Sequence, residues 1–126
     1  MARILIAEDE EALCAMCVRA LENVGHDVIT AGDGSEALDV LSHEGGRFDL
    51  LLTDIRMPIM DGIALSLAAA RDHPDLTILL MTGYADQRER AHGLDALIHD
   101  VLPKPFSLAA LRDAVNEALT VHARGH

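Results

Sequence analysis

Four short aliphatic runs in this chain are each followed by a residue able to do chemistry. Ile4-Leu5-Ile6-Ala7 leads into Glu8-Asp9-Glu10, and Leu50-Leu51-Leu52-Thr53 leads into Asp54. Leu79-Leu80-Met81 leads into Thr82-Gly83, and Val101-Leu102-Pro103 leads into Lys104-Pro105. If a fold brings these ends together, Glu8, Asp9 and Asp54 converge, and converging carboxylates repel one another unless a cation joins them. Hard oxygen ligands with room for waters suit Mg²⁺, with Mn²⁺ as the substitute. Asp54 could then act as a nucleophile and carry a phosphoryl group as an acyl phosphate. Of the three anionic oxygens on that group, the cation could take one, the Lys104 ammonium a second and the Thr82 hydroxyl the third. Phosphoryl transfer needs mostly this, positioning and charge stabilisation. Plainer readings exist for each residue alone. A carboxylate at a helix start is favoured by the macrodipole, which explains one of Glu8 and Asp9 but not Asp54 after a strand. Thr82 alone reads as a turn residue, and Lys104 alone as a surface lysine.

The elements that must do this positioning alternate. Arg3–Ala7 reads as a first strand. Glu10–Val24 has helical period, with Leu13, Cys17, Leu21 and Val24 on its apolar face, and Gly25 stops it. Asp27–Thr30 is a second strand. Asp33-Gly34-Ser35 starts a helix whose stripe is Ala37, Leu38 and Leu41, ended by Gly45-Gly46. Phe48–Thr53 is a third strand, and its leucines predict burial on both faces, as at the centre of a parallel sheet. Gly62–Arg71 is a helix, Leu76–Met81 a strand, Asp86–Leu94 a charged helix and Ile98–Leu102 the fifth strand. Ser107 caps a last helix with the stripe Leu108, Leu111, Val115 and Leu119. Parallel strands need crossovers, so the fold class is α/β: a doubly wound five-stranded parallel sheet with helices on both faces. Its usual order, 2-1-3-4-5, places the ligand crevice at the carboxyl ends of strands 1 and 3, beside Glu8, Asp9 and Asp54. A cis Lys104–Pro105 bond would turn Lys104 inward.

Composition narrows the partners. The 126 residues suit one domain, 1–121, with a frayed tail at 122–126. Half are apolar and 2% aromatic, so aliphatic packing carries the core. A net charge of -11 argues against nucleic acid and against an anionic membrane surface. The first apolar run is too short for a signal peptide, and no run reaches the ~20 residues of a membrane span, which suggests a cytoplasmic protein. Cys14 and Cys17 form a C-x2-C lacking the further ligands a zinc site requires. They read as ordinary packing, with a redox or metal role as the alternative.

The motifs I-L-I-A-E-D-E (4–10), L-L-L-T-D-I-R-M-P-I-M-D-G (50–62), M-T-G-Y-A-D (81–86) and L-P-K-P-F (102–106) together resemble the CheY-like receiver domain of two-component response regulators, over essentially the whole chain. The resemblance implies that Asp54 is the phosphoacceptor, fed by a histidine kinase or histidine phosphotransferase. It implies Mg²⁺ held by Asp9, Asp54 and the Arg56 backbone carbonyl, with Glu8 acting through water. Lys104 would pair with the phosphoryl group and Thr82 would be the switch hydroxyl. Pro58 and Gly62 would shape the loop after the phosphoacceptor. Such a domain is a self-catalysing phosphoacceptor switch with slow autodephosphorylation, rather than an enzyme. This chain departs from the pattern at Glu8, commonly Asp; at Gly83, often Ala; and at Val101, usually an aromatic that couples to the threonine. Tyr84 could be the reporting aromatic instead. Arg56 and Tyr84 occupy the positions where the family tunes dephosphorylation.

No output domain is expected after the last helix, which implies output through protein contacts on the fourth helix, fifth strand and fifth helix, residues 84–119, with Asp86–Arg90 as a recognition or simply solvated face. Where dimerising transcription factors of the family carry an arginine, this chain has Ala114, so a monomer or a weak phosphorylation-dependent dimer is expected. The D-I-R-M-P-I-M-D-G-I loop and the Thr82-Gly83 segment resemble the CpdR-type stand-alone receivers, which help control a ClpXP-dependent protease pathway. A chemotaxis receiver or a phosphorelay shuttle is the rival role. A haloacid-dehalogenase-type phosphatase would need an acid two residues after its nucleophile, where Arg56 stands. A flavodoxin-like carrier would need a Ser/Thr-rich phosphate loop where Glu8-Asp9-Glu10 stands.

Overall fold

A computed structural model describes residues 2–43, 47–83, 94 and 96–124. Five strands run in parallel in the order 2-1-3-4-5: β1 (Arg3–Ala7), β2 (Asp27–Ala31), β3 (Leu50–Asp54), β4 (Thr77–Thr82) and β5 (Asp100–Pro103). Helices α1 (Glu11–Glu22), α2 (Gly34–His43) and α3 (Gly62–Asp72), and a last helix (Leu108–Arg124), lie between and after them. The fourth helix expected over Asp86–Leu94, together with Tyr84 and Gly45-Gly46, falls outside the described residues apart from Leu94, which is buried.

Strand alternation divides the core in two, because successive side chains leave a strand on opposite faces. Leu5, Leu51, Ile78 and Leu80 pack with Ala37 and Leu41 of α2 and Leu65 and Ala69 of α3. Ile4, Ile6, Leu50, Leu52, Leu79 and Met81 pack with Cys17, Ala20 and Leu21 of α1 and Leu111, Val115 and Ala118 of the last helix. Every residue of β3 is buried, as its leucine run predicts. Each such leucine contributes roughly 1.5–3 kcal/mol by leaving water, so the strand that ends in Asp54 is firmly held.

Helix starts follow local chemistry. The Asp61 carboxylate accepts from Ala64 N (2.9 Å) at α3, Asp33 from Glu36 N (2.8 Å) at α2, and the Ser107 hydroxyl from Ala110 N (3.0 Å) at the last helix. Each satisfies an amide that a helix leaves unpaired. Gly25 ends α1 in the left-handed region at φ 95°, where glycine carries no steric penalty.

Three details differ from the sequence reading. Val24, placed on the apolar face of α1, is 48% exposed because the helix ends at Glu22 and the periodicity ends with it; Ala20 is buried instead. Leu108 is 41% exposed because it is the first residue of its helix, while Ala118 fills the core beside Val115. The last helix runs on to Arg124, into the stretch expected to fray, since no helix breaker occurs between Ser107 and Gly125.

Candidate functional site

The sheet delivers the four chain ends to one edge. β1 hands over to Glu8, whose amide extends the β1–β2 pairing by donating to Ala31 O (3.0 Å). Asp54 is the last residue of β3 and lies opposite Met81 of β4. Thr82 closes β4, opposite Pro103, and its carbonyl accepts from Lys104 N (2.7 Å). The Lys104–Pro105 bond is cis, as expected.

At that edge the carboxylate oxygens of Glu8, Asp9 and Asp54 lie within 4.8 Å of one another. Glu8 and Asp54 are buried, 3% and 5% exposed, and Asp9 is exposed. Lys104 Nζ is 2.9 Å from Asp54 Oδ1 and 3.1 Å from Glu8 Oε1. Glu8 Oε2 accepts from Glu10 N (3.2 Å). Burial, reinforced by the Asp54 charge, pushes the Glu8 carboxyl above its ordinary range. Burial also raises Asp54, against the pull of Lys104. For Lys104 burial disfavours the ammonium, but hydrogen bonding and attraction to Asp54 and Glu8 outweigh it and raise its pKa. Three carboxylates thus gather beside one ammonium, which pairs with two of them. The surplus negative charge and the all-oxygen donor set fit a hard divalent cation, which would relieve the repulsion.

A cavity of about 930 Å³ opens over the cluster. Arg56, Gly83 and Pro105 line it, together with an apolar rim of Leu13, Met16, Met57, Pro58 and Phe106. Thr82 is 1% exposed at the end of β4 and is not among the lining residues. Val101 is half-buried on β5, packed against the α2–α3 side of the core. The sequence reading did not assign these residues to a rim, although Met57, Pro58 and Phe106 lie in the same motifs; attention to polar groups passed over Met57 and Phe106. Cys17 is fully buried in the core between α1 and the last helix, with Cys14 against it, and both are free; burial raises both thiols, and the nearby Glu8 charge adds to it.

The loop leaving Asp54 is tightly folded. Met60 N donates to Pro58 O (2.7 Å) across Ile59, which has φ 68° and is 85% exposed. Gly62 N donates to Ile55 O (2.7 Å), closing the loop onto the strand. Gly34 N, at the start of α2, donates to Met60 O (3.0 Å).

The five-stranded sheet in this order is a doubly wound α/β domain with acids at the carboxyl ends of strands 1 and 3 and a lysine after strand 5. Residues 4–116 match the response regulator receiver domain, and the chain belongs to that family. It is 43% identical over 117 residues to the response regulator receiver protein CpdR of Brucella abortus (strain 2308), covering 93% of each. It is 40% identical over 119 residues to the sensor kinase CckA of the same strain, where the match takes in 94% of this chain but only 12% of the kinase. Among solved structures, a CheY-like receiver domain protein from Methanospirillum hungatei JF-1 superposes with a TM-score of 0.91 at 28% identity, over 100% of this chain and 99% of that one. Among the described residues no helix is long and apolar enough to cross a membrane.

Proposed function

We propose that this chain is a two-component phosphorylation switch that takes a phosphoryl group onto Asp54 from a phosphohistidine. The observation that carries the reading is the meeting of Glu8, Asp9, Asp54 and Lys104 at one edge of the sheet. Asp9, Asp54 and the Arg56 carbonyl would hold Mg²⁺, with Glu8 acting on it through water. When bound, the ion supplies charge neutralisation at the incoming phosphoryl oxygens. The Asp54 carboxylate attacks phosphorus, the phosphorus–nitrogen bond of the donor breaks, and the imidazole leaves. Lys104 shifts from pairing with Asp54 to pairing with a phosphoryl oxygen, and Thr82 turns its hydroxyl toward another. These contacts bias the segment 84–119 between two conformations, which a downstream protein reads. Arg56, Gly83, Tyr84, Val101 and Pro105 set how long the phosphoryl group persists and how its presence is relayed.

The donor is a histidine kinase or a histidine phosphotransferase, and the setting is cytoplasmic. The 43% identity to CpdR, over a match that covers 93% of both chains, favours a CpdR-like role in a ClpXP protease pathway over a chemotaxis role or a phosphorelay shuttle. The test is acetyl phosphate or beryllofluoride with and without Mg²⁺, followed by mass and by Tyr84 fluorescence in wild type and Asp54→Asn. Modification that needs Mg²⁺ and vanishes in Asp54→Asn supports the switch. An unmodified, folded wild type refutes it.

A further inference from the structure

Three side-chain hydroxyls are buried among the described residues: those of Thr53 and Ser66, which are fully inaccessible, and that of Thr82. Thr82 belongs to the switch already proposed. The other two each donate to a main-chain carbonyl, Thr53 Oγ1 to Asp54 O at 2.9 Å and Ser66 Oγ to Gly62 O at 2.7 Å. The two bonds are not equally needed. Gly62 opens α3, and the helical ladder itself serves its carbonyl from four residues on. The Asp54 carbonyl ends a strand and lies so close to Gly62 that a Cβ there would overlap it. A buried carbonyl that loses a donor pays the full cost of its lost solvation.

The peptide unit between Asp54 and Ile55 is gripped at both ends. Its carbonyl accepts from the Thr53 hydroxyl, and its N–H, that of Ile55, donates to Met81 O (3.2 Å). The next carbonyl, Ile55 O, accepts from Gly62 N (2.7 Å). The carbonyl after that belongs to Arg56. A run of fixed backbone groups thus leads from the phosphoacceptor to the main-chain ligand expected at the cation. From this we infer that Thr53 is a positioning residue for the cation site: its buried hydroxyl, bonded to the Asp54 carbonyl, fixes the peptide from which the Arg56 carbonyl is presented. Valine at 53 has the same shape, keeps the packing of β3 and drops the bond. The peptide then hangs from the Ile55 N–H alone and tilts about it, which displaces the Arg56 carbonyl and leaves Glu8 and Asp9 where they are. Outer partners of metal ligands matter in this way without touching the ion.

The inference deepens the proposed function and rests on its cation site, but neither of its binding readouts needs a phosphoryl group. Wild type, Thr53→Val, Thr53→Ala, Thr53→Ser and Ser66→Ala are compared. The carbonyl-carbon resonance of Asp54 in the cation-free protein reports the hydrogen bond, and calorimetry with Mg²⁺ reports the site. We expect Thr53→Val to move the Asp54 resonance upfield and to weaken Mg²⁺ binding about tenfold, the lower end of what such outer partners contribute. Thr53→Ala also lacks the hydroxyl and should do the same, so the question is answered even if one of the two fails to fold. Thr53→Ser keeps the hydroxyl and should bind Mg²⁺ within about threefold of wild type, a change of well under 1 kcal/mol. Ser66→Ala loses an equally buried hydroxyl; it should melt lower yet keep its Mg²⁺ affinity, which separates positioning from a general loosening of the core. An Asp54 resonance unmoved in Thr53→Val overturns the inference, as does wild-type Mg²⁺ affinity in that variant. So does a tenfold loss of affinity in Thr53→Ser or in Ser66→Ala. If Thr53→Val weakens Mg²⁺ binding as expected and yet the wild type takes no phosphoryl group from acetyl phosphate, the proposed function falls and the positioning stands.

Discussion

Gly62 offers a sharp test of how the site is built. It opens α3 directly behind Asp54, and a Cβ there would overlap the Asp54 carbonyl oxygen. The same atom would lie 2.9 Å from the Asp54 carbonyl carbon and 2.9 Å from Ile55 Cα. All three are backbone atoms at the end of a fully buried strand, so no side-chain rotation relieves the clash. Overpacking against such a wall costs about 3 kcal/mol, the upper end of the usual range. Losing the Gly62–Ile55 hydrogen bond adds about 1 kcal/mol, and the better helix propensity of alanine returns about the same. Gly62→Ala should therefore lose roughly 3 kcal/mol, lowering the melting temperature by roughly 9–15 °C in a domain of this size. Gly83→Ala is the matched control. Its Cβ would meet nothing closer than Lys104 Cδ at 3.9 Å. That is ordinary contact, and melting should stay within about 2 °C of wild type. Scanning calorimetry of both variants without cation decides the matter. A Gly62→Ala protein that melts with the wild type would refute the account of how α3 locks the Asp54 strand end.

Four further outcomes follow from the same structure. Because Glu8 and Asp54 have folded pKa values above their ordinary ones, the cation-free protein should lose stability as pH rises from the usual carboxylate range through those raised values. Mg²⁺ at about a hundredfold excess over its dissociation constant should restore about 2.7 kcal/mol near neutral pH, and less as acid protonates the site; a melting shift independent of pH would show that these carboxylates do not bind the ion. Ile59 is a β-branched residue at positive φ that buries almost nothing, so Ile59→Gly should raise stability by about 1 kcal/mol in urea unfolding, and a loss would contradict the strain. Burial pushes the Cys17 thiol up to about 12, so iodoacetamide should label Cys14 in the native protein and reach Cys17 only after unfolding; equal labelling by peptide mass spectrometry would contradict the packing.

The sheet order was legible because aliphatic runs and helical periods alternate along the chain. Placing Glu8, Asp9 and Asp54 together needed only the rule that ligands gather at the carboxyl ends of strands. The Leu50–Leu52 run predicted a strand buried on both faces, and β3 is one. What escaped depends on where elements stop and on how far side chains reach. Val24 has the right spacing for the α1 face, but periodicity cannot say that the helix ends two residues earlier. Ala20 and Ala118 are buried in the core, yet small residues carry little hydrophobic signal. The Lys104–Glu8 contact joins residues 96 positions apart, a pairing that no local pattern of residue types announces.

The bond from Gly34 N to Met60 O has a practical consequence. Helix-start amides commonly face water, but this one is held by the loop that follows Asp54, and a Cβ at Gly34 would overlap that same carbonyl oxygen. With no tryptophan and one tyrosine in the chain, optical probes of this loop are scarce. A glycine amide resonance usually stands clear of its neighbours in a proton–nitrogen spectrum. Gly34 therefore offers a built-in spectroscopic reporter. It lies outside the acidic cluster, needs no labelling chemistry, and is bonded directly to the segment that any change at Asp54 would move.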